Sequence, residues 1–156
     1  MIAPIHHFGA VCAALLLGMA SAIAADKPAP EDSVGDAWQK AVKAGDLDAV
    51  MKLYADDAIG WFPDEAAHVG TAAIRASYKD MFDGNTVEAA ALTNRHHVSD
   101  AKHRSNWGNF SITLRQKADG KTVTLSGRYT DVQELRGGHW VYVVDHASLE
   151  PPSAPK

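Results

Sequence analysis

The chain is nearly without cysteine. Its single thiol, Cys12, lies in an uncharged N-terminal stretch, so no disulfide staples the remainder and no mature thiol is available as a nucleophile. Basic clusters are missing as well. The 15 Lys and Arg are scattered among 19 Asp and Glu, and a net charge of −4 argues against nucleic acid as a partner. No Gly-x-Ser-x-Gly element occurs, and Gly137-Gly138 reads as a hairpin turn, not a phosphate loop. The six histidines beyond the N-terminal stretch are His68, His96, His97, His103, His139 and His146. They form no His-x-His or His-x-x-x-His pair backed by carboxylates, and neighbours such as His96 and His97 point to opposite faces of a strand. No metal and no cofactor is therefore expected. Asp56-Asp57 has the look of a paired-carboxylate site, but its place at a helix end reads as turn capping.

Charge is wholly absent from residues 1–25. An apolar centre at 11–19 followed by Ala22-Ile23-Ala24 is the pattern of a secretory signal, predicted here as residues 1–24. Its n-region departs from the usual pattern, offering only His6 and His7 in place of Lys or Arg; a weak N-terminal anchor is the alternative. The apolar run is short for a membrane span, and none of membrane length follows. Cleavage leaves about 130 residues, enough for one core. The expectation is an exported domain, periplasmic or secreted, with no membrane contact after cleavage. Residues 25–31, with Pro28 and Pro30, read as a linker, and 150–156, with Pro151, Pro152 and Pro155, as a flexible tail.

What is present is periodicity. Val34, Trp38 and Val42 recur every four residues and predict a helix over 32–43, capped by Asp32 or Ser33 and ended by Gly45. Asp46 caps a second helix carrying Leu47, Val50, Met51 and Tyr54, closed by Asp56-Asp57. Residues 59–62 read as a strand stopped by Pro63. Thr71 caps a third helix, 72–82, whose one face holds Ile74, Tyr78, Met81 and Phe82. Strands follow at 86–98, 107–116, 122–135 and 140–148. Asp119-Gly120 makes one hairpin turn, and 100–104 reads as a polar turn. Helices first and antiparallel strands after predict α+β, with the helices on one face of a curved sheet.

The ordered set Trp38, Gly45-Asp46, Leu53 through Ala58, Pro63, Gly70, Ile74, Asp119-Gly120, Arg128-Tyr129 and 140–146 resembles the SnoaL-like proteins of the nuclear-transport-factor-2-like superfamily, which includes ketosteroid isomerase. The resemblance covers residues 32–149. It implies a cone-shaped, mixed or antiparallel sheet (a cystatin-like roll) around N-terminal helices, a pocket within it, and a homodimer. It does not imply a reaction, because members include isomerases, cyclases, dehydratases and pure binding domains. The isomerase needs a carboxylate base and an oxyanion hole of a tyrosine and a protonated aspartic acid. The resemblance puts Phe62 at the base, Trp38 at the tyrosine and Asp131 at the acid, with His146 replacing a pocket tryptophan. Two of these four roles have changed, so steroid isomerisation is not expected.

Alternation then assigns the pocket. Asp131 facing inward brings Tyr129 and Gln133 with it, and period two puts Trp140, Tyr142, Val144 and His146 on one face of the last strand. Phe110, Ile112 and Leu114 line the strand before the Asp-Gly hairpin. Trp38, Tyr54, Phe62, Tyr78 and Phe82 approach from the helices. This predicts an apolar, aromatic pocket for a small molecule. Two readings of its polar groups stand: an Asp131–His146 dyad acting as general base, or a hydrogen-bonded core histidine with Asp131 serving Arg128 or a turn amide. Function is left between a pocket that binds a small apolar molecule, with or without isomerising, dehydrating or cyclising it, and a non-catalytic binding or dimeric assembly module with a filled pocket.

Overall fold

A computed structural model describes residues 33–151. The expected signal peptide, the linker, Asp32 as a cap and most of the tail lie outside the described residues. Helix α1 spans Ser33–Ala44 and α2 spans Leu47–Met51. Gly45 joins them at φ +64°, its N–H bonding Val42 while Asp46 N–H bonds the Ala41 carbonyl, both at 3.0 Å. This pair of bonds ends α1 in a left-handed turn that suits glycine. Asp46 then accepts the Ala49 N–H at 2.9 Å and starts α2.

Strand β1, Tyr54–Trp61, begins five residues before the sequence predicts. Tyr54 is thus a strand residue, and Asp56-Asp57 is exposed on the strand instead of closing a helix; Asp57 pairs with Arg136 at 2.5 Å. A two-residue β2, His68–Val69, leads into α3, Thr71–Gly84. Thr71 does not cap α3: Gly70 occupies the cap, at φ +81° and without a side-chain bond. Strands β3 (Asn85–Ser99), β4 (His103–Gln116), β5 (Thr122–Arg136) and β6 (His139–Leu149) follow. The polar stretch at 103–104 belongs to β4, not to a turn.

The six strands form one curved, open, mixed sheet in the order β2-β1-β6-β5-β4-β3. Only β1 and β6 run parallel. The helices lie against the concave face: α1 over β3, and α3 against β1 and β3. Leu92 N–H bonds Gln39 Oε1 of α1 at 3.0 Å, and Arg95 pairs with Asp36 at 2.6 Å, fixing α1 along β3. Val42, Val50 and Ile74 are fully buried between the layers. Each contributes about 1.5–3 kcal/mol by leaving water.

One irregularity decides the site. Along β5 and β6, Val132 pairs with Val144 but Gln133 pairs with Tyr142, so Val143 is an extra residue in β6. A bulge of this kind reverses the phase of alternation beyond it. Tyr142 faces the helices, and after the bulge Asp145 and Ala147 do so, while Val144 and His146 turn to the outer face.

Candidate functional site

Between α1, α3 and the concave sheet lies a cavity of about 200 Å³, partly open to solvent. Sheet residues supply its apolar floor: Phe110, Ile112 and Leu114 of β4, Leu125 and Tyr129 of β5, and Tyr142 of β6. Trp38 of α1 and Tyr78 of α3 form the opposite wall. Phe62, Pro63 and Glu65, just past β1, stand with Ser77 at one side. Two carboxyls reach the cavity from adjacent strands, Asp131 and Asp145, which are direct partners in the β5–β6 register.

Asp145 ends a chain of hydrogen bonds through the core. Trp38 Nε1 donates to the Tyr78 hydroxyl at 2.7 Å, the Tyr78 and Tyr54 hydroxyls are 3.0 Å apart, and Tyr54 donates to Asp145 Oδ2 at 2.5 Å. Tyr54 itself lies behind the cavity wall, its ring 5.1 Å from that of Tyr142. Burial pushes the Asp145 carboxyl up to about 6, although the Tyr54 hydroxyl and the adjoining His146 imidazole pull the other way. Burial also drives the hydroxyls of Tyr54 and Tyr78 upward, so both serve as donors and not as phenolates near neutral pH. A carboxyl that titrates near 6 in an apolar wall can hold or release a proton under ordinary conditions.

Asp131 is buried, and its Oδ1 accepts from Asn106 Nδ2 at 2.6 Å and from Gln133 Nε2 at 3.0 Å. Arg104, opposite Gln133 in the β4–β5 register, is fully buried with its guanidinium 4.8 Å above the Trp140 ring. This polar layer lies beyond the cavity along the same face; of its members, only Asp131 reaches the lining.

The predicted residues therefore divide. Trp38, Phe62, Tyr78, Phe110, Ile112, Tyr129, Tyr142 and Asp131 stand on the cavity. Tyr54 does not line it and touches three residues that do, Asp145, Tyr78 and Tyr142. Phe82 packs on the core beside Tyr78, with ring centroids 6.0 Å apart, and borders a second depression near Lys43. Val144 and His146 are corrections: the Val143 bulge turns both outward, His146 is exposed, and no dyad with Asp131 forms. Sequence reasoning missed Asp145 and Ala147 for the same reason. It also missed Glu65, where His68 Nε2 and Ser77 Oγ meet Oε2 at 2.6 and 2.8 Å, because nothing in a loop pattern reports such a meeting. Among the described residues, no three His, Cys, Asp or Glu gather closely enough to hold a metal ion.

A family model described as a SnoaL-like domain matches residues 36–143. The chain belongs to the SnoaL-like family. No curated protein matches it. Solved structures of this SnoaL-like architecture include a ketosteroid isomerase-like protein from Erwinia carotovora atroseptica, at 20% identity and TM-score 0.66 over 76% of this chain and 92% of that one. A proposed dehydratase of the nuclear-transport-factor-2-like family from Streptomyces avermitilis matches at 18% identity and TM-score 0.65, covering 76% and 92%. A nuclear-transport-factor-2-like superfamily protein from Salmonella enterica matches at 13% and 0.68, covering 76% and 87%. At these identities the likeness establishes the cone fold that the sequence predicts.

Proposed function

We propose that this SnoaL-like domain is exported, forms a homodimer through its sheet, and binds a small, largely apolar organic molecule in the cone. There it performs acid–base chemistry of the isomerase, dehydratase or cyclase type without a cofactor. Asp145 takes and returns the proton. The observation that carries this reading is a carboxyl on the wall of an apolar cavity, hydrogen-bonded by Tyr54 and raised by burial to about 6. Tyr54 and the Tyr78–Trp38 chain behind it hold the carboxyl in one orientation, and Asp131 presents a second carboxyl from the neighbouring strand. The isomerase-like and dehydratase-like neighbours support that class of chemistry. An open cavity also disfavours a module whose pocket is filled by its own side chains.

The outer face supports the dimer. One residue from each of five strands forms a continuous register row, Trp61–His146–Thr130–Trp107–His96, and every member is exposed. His96 stacks on Trp107 within this row, with ring centroids 6.0 Å apart.

Proton abstraction can be tested on a carbon acid small enough for the cavity. Exchange of the α-hydrogens of 2-indanone in D2O, followed by NMR, should be accelerated by the protein and slowed about 10²–10⁴-fold by Asp145→Asn. Exchange no faster than in buffer, or equal in the variant, would remove Asp145 from this role. Sedimentation velocity tests the dimer: Trp107→Asp should give a monomer.

A further inference from the structure

The cavity has one sign of charge. Its ionisable carboxyls are Glu65, Asp131 and Asp145, and among the described lining residues there is no Lys, Arg or His. The buried cation of the neighbouring layer, Arg104, does not line it and lies instead over Trp140. The imidazole adjoining Asp145, His146, stands on the outer face of the sheet. The rest of the lining is rich in ring faces: Trp38, Phe62, Tyr78, Phe110, Tyr129 and Tyr142. Aromatic faces are negative and attract cations, most strongly where water is excluded. A carboxylate ligand would meet Asp131 and Asp145 on the sheet, while Glu65 at the loop side is engaged by His68 at 2.6 Å and Ser77 at 2.8 Å. A neutral ligand would leave Asp145 without a counter-charge in an apolar wall, which disfavours its ionised form. A protonated nitrogen supplies that charge.

We propose that the cavity selects an organic amine, with its ammonium beside Asp145 among the ring faces and a compact aromatic or alkyl body against the Phe110–Leu114 floor. This rests on the reading of the cavity as a small-molecule site. Its volume of about 200 Å³ suits one ring with a short side chain. A pH dependence follows. Asp145 is faced by Tyr54 from β1, by Asp131 from β5 and, through Tyr54, by Tyr78 from α3, with Glu65 at the loop side and His146 next in β6. The ammonium favours the carboxylate over the acid. Binding below the carboxyl midpoint therefore releases a proton, and affinity weakens as pH falls through that midpoint.

Benzylamine, its neutral isostere benzyl alcohol, and benzoate form a matched set. NMR titration of the chain at pH 8 should give benzylamine at least tenfold tighter than benzyl alcohol, and benzoate weakest. The benzylamine preference should fall below threefold at pH 5. Asp145→Asn should erase the preference by bringing benzylamine and benzyl alcohol to similar affinity, and the variant's backbone amide spectrum reports whether it is folded. Should that variant not fold, the wild-type comparison at the two pH values decides alone. Benzyl alcohol binding as tightly as benzylamine at pH 8, or benzoate binding tightest, overturns the amine inference and leaves the pocket reading standing. A preference that survives in Asp145→Asn overturns the placement of the charge. If none of the three probes binds, both readings fall.

Discussion

Replacing Asp145 by asparagine should make the protein more stable at pH 8 and leave it nearly unchanged at pH 4. The carboxyl titrates at about 6 in the folded chain against a reference of 3.8, chiefly because burial penalises its charge. A shift of roughly two units is about 3 kcal/mol of stability withheld once the group is ionised. Because the folded pKa is raised, the folded state holds more protons than the unfolded state between pH 4 and 6, so this group lowers stability as pH rises through that window. Asparagine removes the charge and keeps an oxygen to accept from Tyr54, so it stands in for the neutral acid. The net gain at pH 8 is then about 3 kcal/mol, and at pH 4, with aspartic acid already neutral in the folded chain, the two proteins should agree within about 0.5 kcal/mol. Surface carboxylates held low by Arg75, Arg136 or backbone amides, among them Asp48, Asp57 and Asp100, act in the opposite sense at lower pH. They are common to both proteins and cancel in the difference. Urea unfolding of both proteins at pH 4, 5, 6, 7 and 8 measures it. A difference that does not change with pH, or a variant less stable at pH 8, would refute the burial of this charge.

Other consequences are independent of that one. Tyr54→Phe removes the hydroxyl that lowers the Asp145 carboxyl, so its midpoint should move further above 6 by NMR, at a stability cost of about 1–2 kcal/mol. His146→Ala should leave ligand affinity within twofold, since the imidazole is on the outer face, and should raise the Asp145 midpoint slightly when measured by the same titration. Gly127→Ala should unfold the β5–β6 pairing or destabilise the chain by more than about 3 kcal/mol in urea. A Cβ there would clash with the Ser148 carbonyl oxygen, which is backbone and cannot move aside.

Period 3.6 in 33–44 and 71–84 and period 2 in the strands carried the architecture into the sequence, because burial of one face is what those repeats record. So did Gly45, whose left-handed turn only a flexible residue accepts cheaply. Two kinds of information were not legible. Tyr54 fitted the α2 pattern as well as a strand, and only the Tyr142 N–H bonding the Leu53 carbonyl at 2.7 Å shows that pairing with β6 wins. The β6 site failed on one residue. Val141, Val143 and Val144 offer no local sign of which is unpaired, yet the extra Val143 exchanges His146 for Asp145 at the cavity. Alternation is a reliable guide to facing only within an unbroken ladder, and bulges occur where a site needs a side chain re-aimed. Arg104 reads in sequence as a turn residue, and an extension of β4 along β5 buries it by the same kind of tertiary decision.

An aspartate, Asp145, is the titrating carboxyl on the wall of this cone, and His146 stands outside it. Carbon-13 NMR of the side-chain carboxyls across pH 3–9 observes it directly. A carboxyl resonance with a midpoint near 6 that disappears in Asp145→Asn is the predicted result. An Asp145 that titrates near 4, as a solvated aspartate does, would contradict it.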